Sequence, residues 1–183
     1  QALVANTTGA ANTAIGCGAL DANTTASNNI AVGTNALGAN TTGEVNTAVG
    51  TASMATNTTG FGNTAVGKNS LYTNNGNNNT AVGHEALELN TSGASNVAVG
   101  RQALEANTTG ANNTALGCGA LAANTTASSN TSLGRNSLFA NQTGCCNTAN
   151  GMGALTANQS GDNNVAVGVL ALGANVGADN NTA

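Results

Sequence analysis

The residues able to do chemistry in this chain are few and scattered. There is one histidine, His84. A hydrolytic triad needs a histidine held between a nucleophile and a carboxylate. Serine is plentiful, but no G-x-S-x-G elbow is present. Zinc needs several His or Cys ligands converging on one point. Four cysteines occur, Cys17, Cys118, Cys145 and Cys146, with none of the spacings that mark a metal knuckle. Seven acidic residues face three Lys/Arg, for a net charge of −4. Three cations spread along 183 residues exclude a phosphate-tracking surface, so nucleic acid is not an expected partner. Catalytic residues, cofactor and metal are all expected to be none. The formal N-glycosylation triplet Asn-x-Ser/Thr recurs at Asn6, Asn23, Asn40, Asn57, Asn90, Asn107, Asn124, Asn141 and Asn158. On an exposed surface these asparagines form a column of glycan acceptors; in a stacked β structure the same column forms an amide ladder.

That column is one of many. The pentad Asn-Thr-Ala-Val-Gly returns with its leading Asn at 12, 29, 46, 63, 79, 96, 113, 130, 147, 164 and 181, every 17 residues except for one step of 16 between Asn63 and Asn79. The unit is N-T-A-V-G-x-x-A-L-x-x-N-T-T-G-x-x, positions 1 to 17. The shortened unit loses its residue around Asn74-Asn75-Gly76. A 17-residue unit is too short for a helix pair. Thr-Ala-Val and Ala-Leu are β-compatible and lie between turn-like glycines. A three-residue strand gains stability only by pairing with its copy one turn away, which is how a solenoid works. The expected fold is therefore all-β: a parallel β-solenoid with one coil per 17 residues, ten complete coils, and a single repeat array over 1–183. At about 4.8 Å per strand the rod is on the order of 50 Å long. The chain has no Pro, which would remove a ladder donor. No run of 18 apolar residues exists, so no helix is expected to span a membrane. The opening residues read as the middle of a repeat rather than a signal peptide, so an excerpt of a longer fibre or a processed product is expected.

Each column has an expected role. Gly at position 5 needs a positive φ at a corner. Asn at positions 1 and 12 stacks into ladders. Leu at 9 and Val, Ile or Leu at 4 are expected to fill a thin core, with position 2 sharing their face by strand alternation. Ala at 3 then points outward: Ala14, Ala31, Ala48, Ala65, Ala81, Ala98 and Ala115 are the expected flat self-association face. Lys68, His84, Arg101 and Arg135 all fall at position 6, and Glu85, Glu88 and Glu105 are available to pair with them on a solvated flank. Asp162 and Asp179 share position 16 as a candidate Ca²⁺ pair. Cys17 and Cys118 lie about 29 Å apart along the rod, beyond disulfide reach within one chain, a bridge between adjacent Cys145 and Cys146 would be strained, and free or intermolecular thiols are expected.

The Asn-Thr-Ala-Val-Gly core resembles the S-V-A-I-G core of YadA-type head repeats of trimeric autotransporter adhesins, and the full unit is similar to repeats in bacterial surface and phage tail-fibre-like proteins. The similarity covers essentially the whole chain. It implies a left-handed β-roll, a homotrimer or filament, a cell-surface receptor or glycan as partner, and a place outside the cell or on a virion. The expected function is a structural or adhesive rod, not an enzyme. The alternative is an ice-binding solenoid using Thr13, Thr47, Thr64, Thr80, Thr114 and Thr131, which requires position 2 to point outward.

Overall fold

The computed structural model describes all residues, Gln1–Ala183. It holds ten three-residue strands, β1 (Thr13–Ile15), β2 (Ile30–Val32), β3 (Thr47–Val49), β4 (Thr64–Val66), β5 (Thr80–Val82), β6 (Val97–Val99), β7 (Thr114–Leu116), β8 (Thr131–Leu133), β9 (Thr148–Asn150) and β10 (Val165–Val167). They form one sheet in sequence order, and every pair is parallel and in register, Ala48 on Ala65 and Ala81 on Ala98, for example. Thr182 bridges β10 and begins the next coil. This is the parallel β-solenoid the 17-residue period predicts, and identical positions stack into files. Backbone pairing between coils continues outside the strands: Leu37 N–H donates to Ser53 O and Thr41 N–H to Thr58 O. Turns therefore obey the same ladder as strands, so their backbone groups are paired as well.

The interior differs from expectation in one respect. Position 3 points in. Ala31, Ala48, Ala65, Ala81, Ala98 and Ala115 are fully buried and Ala14, on the first coil, is half-buried, so the alanine column is core and not a self-association face. Positions 2 and 4 point out instead. The reason lies in the cross-section. Each three-residue strand aims only its central residue inward, toward the files of Ala or Ser at 8 and Leu or Met at 9, which are fully buried along the rod. With the leucine file already filling that space, only a methyl or hydroxymethyl fits opposite. Coil eight supports this: Ser132 at position 3 and Ser137 at position 8 replace both alanines together and hydrogen-bond each other inside the rod. The buried hydroxyls are satisfied, as burial requires.

The leucine file has an unusual backbone. From Leu20 to Leu172 these residues have φ between 48° and 53°, a left-handed conformation that costs a non-glycine residue about 1–2 kcal/mol. The conformation turns the chain sharply enough to aim a large side chain at the axis, and full burial of a Leu contributes about 1.5–3 kcal/mol in return. At position 5 the glycines carry φ near 127–142°. A Cβ on Gly117 would sit 2.6 Å from the carbonyl of Gly134. Both the turn and the stacking distance demand glycine there.

Candidate functional site

Two asparagine ladders run inside the rod. At position 12, each side-chain amide donates one N–H to the Oδ1 of the Asn on the preceding coil and the other to the carbonyl of position 15 on its own coil. Asn107 Nδ2 lies 2.8 Å from Asn90 Oδ1 and 3.0 Å from Gly110 O. The chain of such bonds is continuous from Asn6 to Asn175. At position 1, each Oδ1 accepts the backbone N–H of the Asn one coil on, as from Asn113 to Asn96 at 3.0 Å, and each Nδ2 reaches the position-15 carbonyl of its own 17-residue unit, as from Asn96 to Gly110. That carbonyl thus receives two side-chain donors, and no buried side-chain polar atom is left without a partner. The ladder reading of the glycosylation triplets holds and the glycan reading does not. Asn23, Asn40, Asn57, Asn90, Asn107, Asn124, Asn141 and Asn158 are fully buried, with the Nδ2 a glycan would occupy spent on two bonds. Asn6, half-buried in the partial unit before Asn12, donates to Gly9 O.

The one-residue deletion is absorbed by the same chemistry. In a full coil the carbonyl at position 13 accepts the N–H groups of positions 13 and 14 from the preceding coil, as Thr58 O does from Thr41 and Thr42. In the short coil the side chain of Asn75 takes over this task. Its Oδ1 accepts from Thr58 N–H, Thr58 Oγ1–H and Thr59 N–H at 2.9, 2.9 and 3.2 Å. A side-chain amide here replaces a backbone carbonyl, and Asn74 keeps the ladder unbroken.

The outward face is the most extensive feature of the rod. It carries two parallel ranks: Thr13, Ile30, Thr47, Thr64, Thr80, Val97, Thr114, Thr131, Thr148 and Val165 at position 2, and Ile15, Val32, Val49, Val66, Val82, Val99, Leu116, Leu133, Asn150 and Val167 at position 4. Every member of the first rank is β-branched and the whole face is uncharged. Val49, Val66 and Val82 on consecutive coils are each more than a third exposed. By strand spacing and rise the strip is about 45 Å by 10 Å, near the upper size of an apolar patch on an ordinary monomer. The threonine rank meets the geometric condition for the ice-binding alternative. Position-13 threonines do not form a comparable free row, because Thr7, Thr41, Thr91 and Thr108 donate their hydroxyls to carbonyls of the next coil.

The charged flank forms fewer pairs than its columns suggest. His84 Nδ1 lies 3.3 Å from Glu85 Oε2, and neither Lys68 nor either arginine is paired with a carboxylate. Gln102 rather than an arginine bridges the carboxylates, 3.1 Å from Glu85 and 3.5 Å from Glu105. Glu85, Glu88 and Glu105 place carboxylate oxygens within 4.8 Å of one another. Burial, with the repulsion of Glu85 and Glu105, holds the Glu88 carboxyl above the usual range. Asp162 and Asp179 do not converge as a cation pair: each turns an Oδ1 to a backbone N–H one coil back, Cys145 and Asp162 respectively, at 2.7 Å. All four cysteines are free. The Cys145 thiol is pushed up to about 11, first by its hydrogen bond with Cys146 and then by burial and the nearby Asp162. No helix is long and apolar enough to cross a membrane.

No protein-family model, no curated protein and no solved structure matches the chain.

Proposed function

We propose that the chain is a structural rod of an extracellular filament, surface adhesin or phage tail fibre, and that it associates with copies of itself through the outward face of positions 2 and 4. The observation that carries this reading is the uncharged strip along the whole rod, β-branched throughout its position-2 rank and apolar in its position-4 rank except at Asn150. Its outline of about 450 Å² is near the upper size of an apolar patch on an ordinary monomer, and each added coil extends it. A homotrimer brings three such strips to a common axis. The rod has no catalytic role in this reading.

The outward threonine rank favours a second reading, an ice-binding solenoid, in which the same flat face orders water. The two readings differ in what the face touches. Light scattering and thermal hysteresis on the purified chain separate them. A mass two or three times 17.5 kDa with no hysteresis supports the rod. A 17.5 kDa monomer that depresses freezing supports ice binding and overturns the rod.

A further inference from the structure

The coil from Asn113 to Ser129 is cut away on one corner. At positions 6, 7, 10 and 11 it carries Cys118, Gly119, Ala122 and Ala123, whereas the coil before presents Arg101, Gln102 and Glu105 and the coil after presents Arg135, Asn136 and Phe139. Small residues between two bulky coils leave a groove of about 500 Å³, with the small residues as floor and the long side chains as walls. Gly119 has φ +66°, and a Cβ there would stand 2.5 Å from Asn136 Oδ1. Glycine keeps the floor open.

The walls have a definite chemistry. Arg101 and Arg135 are two of the three Lys/Arg in the chain. Both are exposed, both line this groove, and neither is paired with a carboxylate. They stand two coils apart, about 9.6 Å by strand spacing, so that both guanidiniums can reach an anion lying over Cys118. Phe139 offers an exposed ring at one end. Gln102 and Asn136 offer amides, and Glu105 an acceptor. Guanidinium forks match carboxylates, an aromatic ring packs on the apolar face of a sugar, and amides with a carboxylate satisfy hydroxyls.

We infer that this groove is a binding site for a carboxylate-bearing saccharide, with Arg101 and Arg135 holding the carboxylate and Phe139 packing on the ring. The site lies on the corner after the strand, away from the strip of positions 2 and 4, and does not depend on the assembly proposed above.

Cys118 on the groove floor reports occupancy, and Cys17, exposed at the same repeat position five arginine-free coils away from Arg101, is an internal control. Alkylation of the two thiols is followed by peptide mass spectrometry with trigalacturonic acid as probe. At ten times the dissociation constant, alkylation of Cys118 is expected to slow about tenfold by mass action, with Cys17 unchanged. The double substitution R101A and R135A is expected to abolish protection while leaving the β-sheet circular dichroism intact; F139A is expected to weaken it. Equal slowing of Cys17, or no slowing of Cys118 at millimolar probe, overturns the site. Equal protection by inorganic phosphate at matched ionic strength overturns the saccharide, and equal protection by an uncharged trisaccharide overturns the role of the arginines.

Discussion

Removing one rung from the middle of the position-12 ladder should cost far more than removing the last rung. Asn107→Ala deletes three bonds: the two its amide donates, to Asn90 Oδ1 and Gly110 O, and the one its Oδ1 accepts from Asn124 Nδ2 at 2.8 Å. Gly110 O keeps Asn96 Nδ2 at 2.8 Å and Asn124 keeps Ala127 O. What remains orphaned is the Asn90 oxygen and one Asn124 N–H, both fully buried. A buried unsatisfied group costs about 1–3 kcal/mol, so the substitution is expected to destabilise by about 2–6 kcal/mol. Asn175→Ala at the far end also removes three bonds, those its amide donates to Asn158 Oδ1 and Ala178 O and the one its Oδ1 accepts from Ala178 N–H at 3.3 Å, but the site is half open to water and solvent replaces them; the expected cost is about 1 kcal/mol. Urea denaturation followed by circular dichroism measures both, and amide exchange at Asn107 and Asn124 reads the loss locally, since repeat arrays can open in sections. If Asn107→Ala falls within about 0.5 kcal/mol of the parent chain, the range of an ordinary surface change, then the ladder does not hold the coils together and the reasoning fails.

Three further outcomes follow from single positions. Gly100→Ala adds a methyl 2.6 Å from the Gly117 carbonyl at φ +135°, whereas Gly168→Ala at φ +133° meets nothing closer than 3.9 Å. Thermal melts should show the first clearly more destabilised, by about 1–3 kcal/mol, with equal losses contradicting close stacking. Glu88 has its pKa raised in the fold, so its ionisation works against folding and the contribution present at low pH is lost as pH rises through the folded value. Glu88→Gln should therefore raise the melting temperature slightly at pH 7, by no more than about 0.5 kcal/mol in stability, and the gain should vanish at pH 3; a loss at pH 7 contradicts the sign. At pH 8 the Cys145 thiol, held near 11, should alkylate well behind Cys17, because the thiolate is the nucleophile; equal rates contradict its pairing with Cys146.

Period and architecture were legible in the sequence, because a solenoid repeats its contacts as faithfully as its letters. Leu37, Met54 and Leu71 had to lie in one file once the coil length was known, and Gly at 5 announced its corner. Inside and outside were harder. Hydrophobicity favours Val over Ala for a core, and that ranking fails where the interior is one methyl wide. Two signals in the sequence carry the right answer. Asn at position 1 forms a ladder, so position 3 shares its inward face by alternation. Position 3 also never exceeds Ala or Ser in size, while position 4 admits Val, Ile, Leu and Asn150, a tolerance that belongs to a surface. The groove at Cys118 was not legible as a site, because a run of small residues is a cavity only when the neighbouring coils are known to lie directly above and below it. The carbonyl-like role of Asn75 is likewise invisible until the missing residue leaves amide donors on the coil before it.

Sedimentation velocity on the chain and on a variant carrying Val66→Lys, Val82→Lys and Val99→Lys is the most direct test of the outward face as the assembly surface. These three side chains point to solvent in the single rod, so the variant should keep its β spectrum and fall to a 17.5 kDa monomer while the parent sediments as a multiple. A parent that is monomeric at every concentration, or a variant that assembles as well as the parent, contradicts the account.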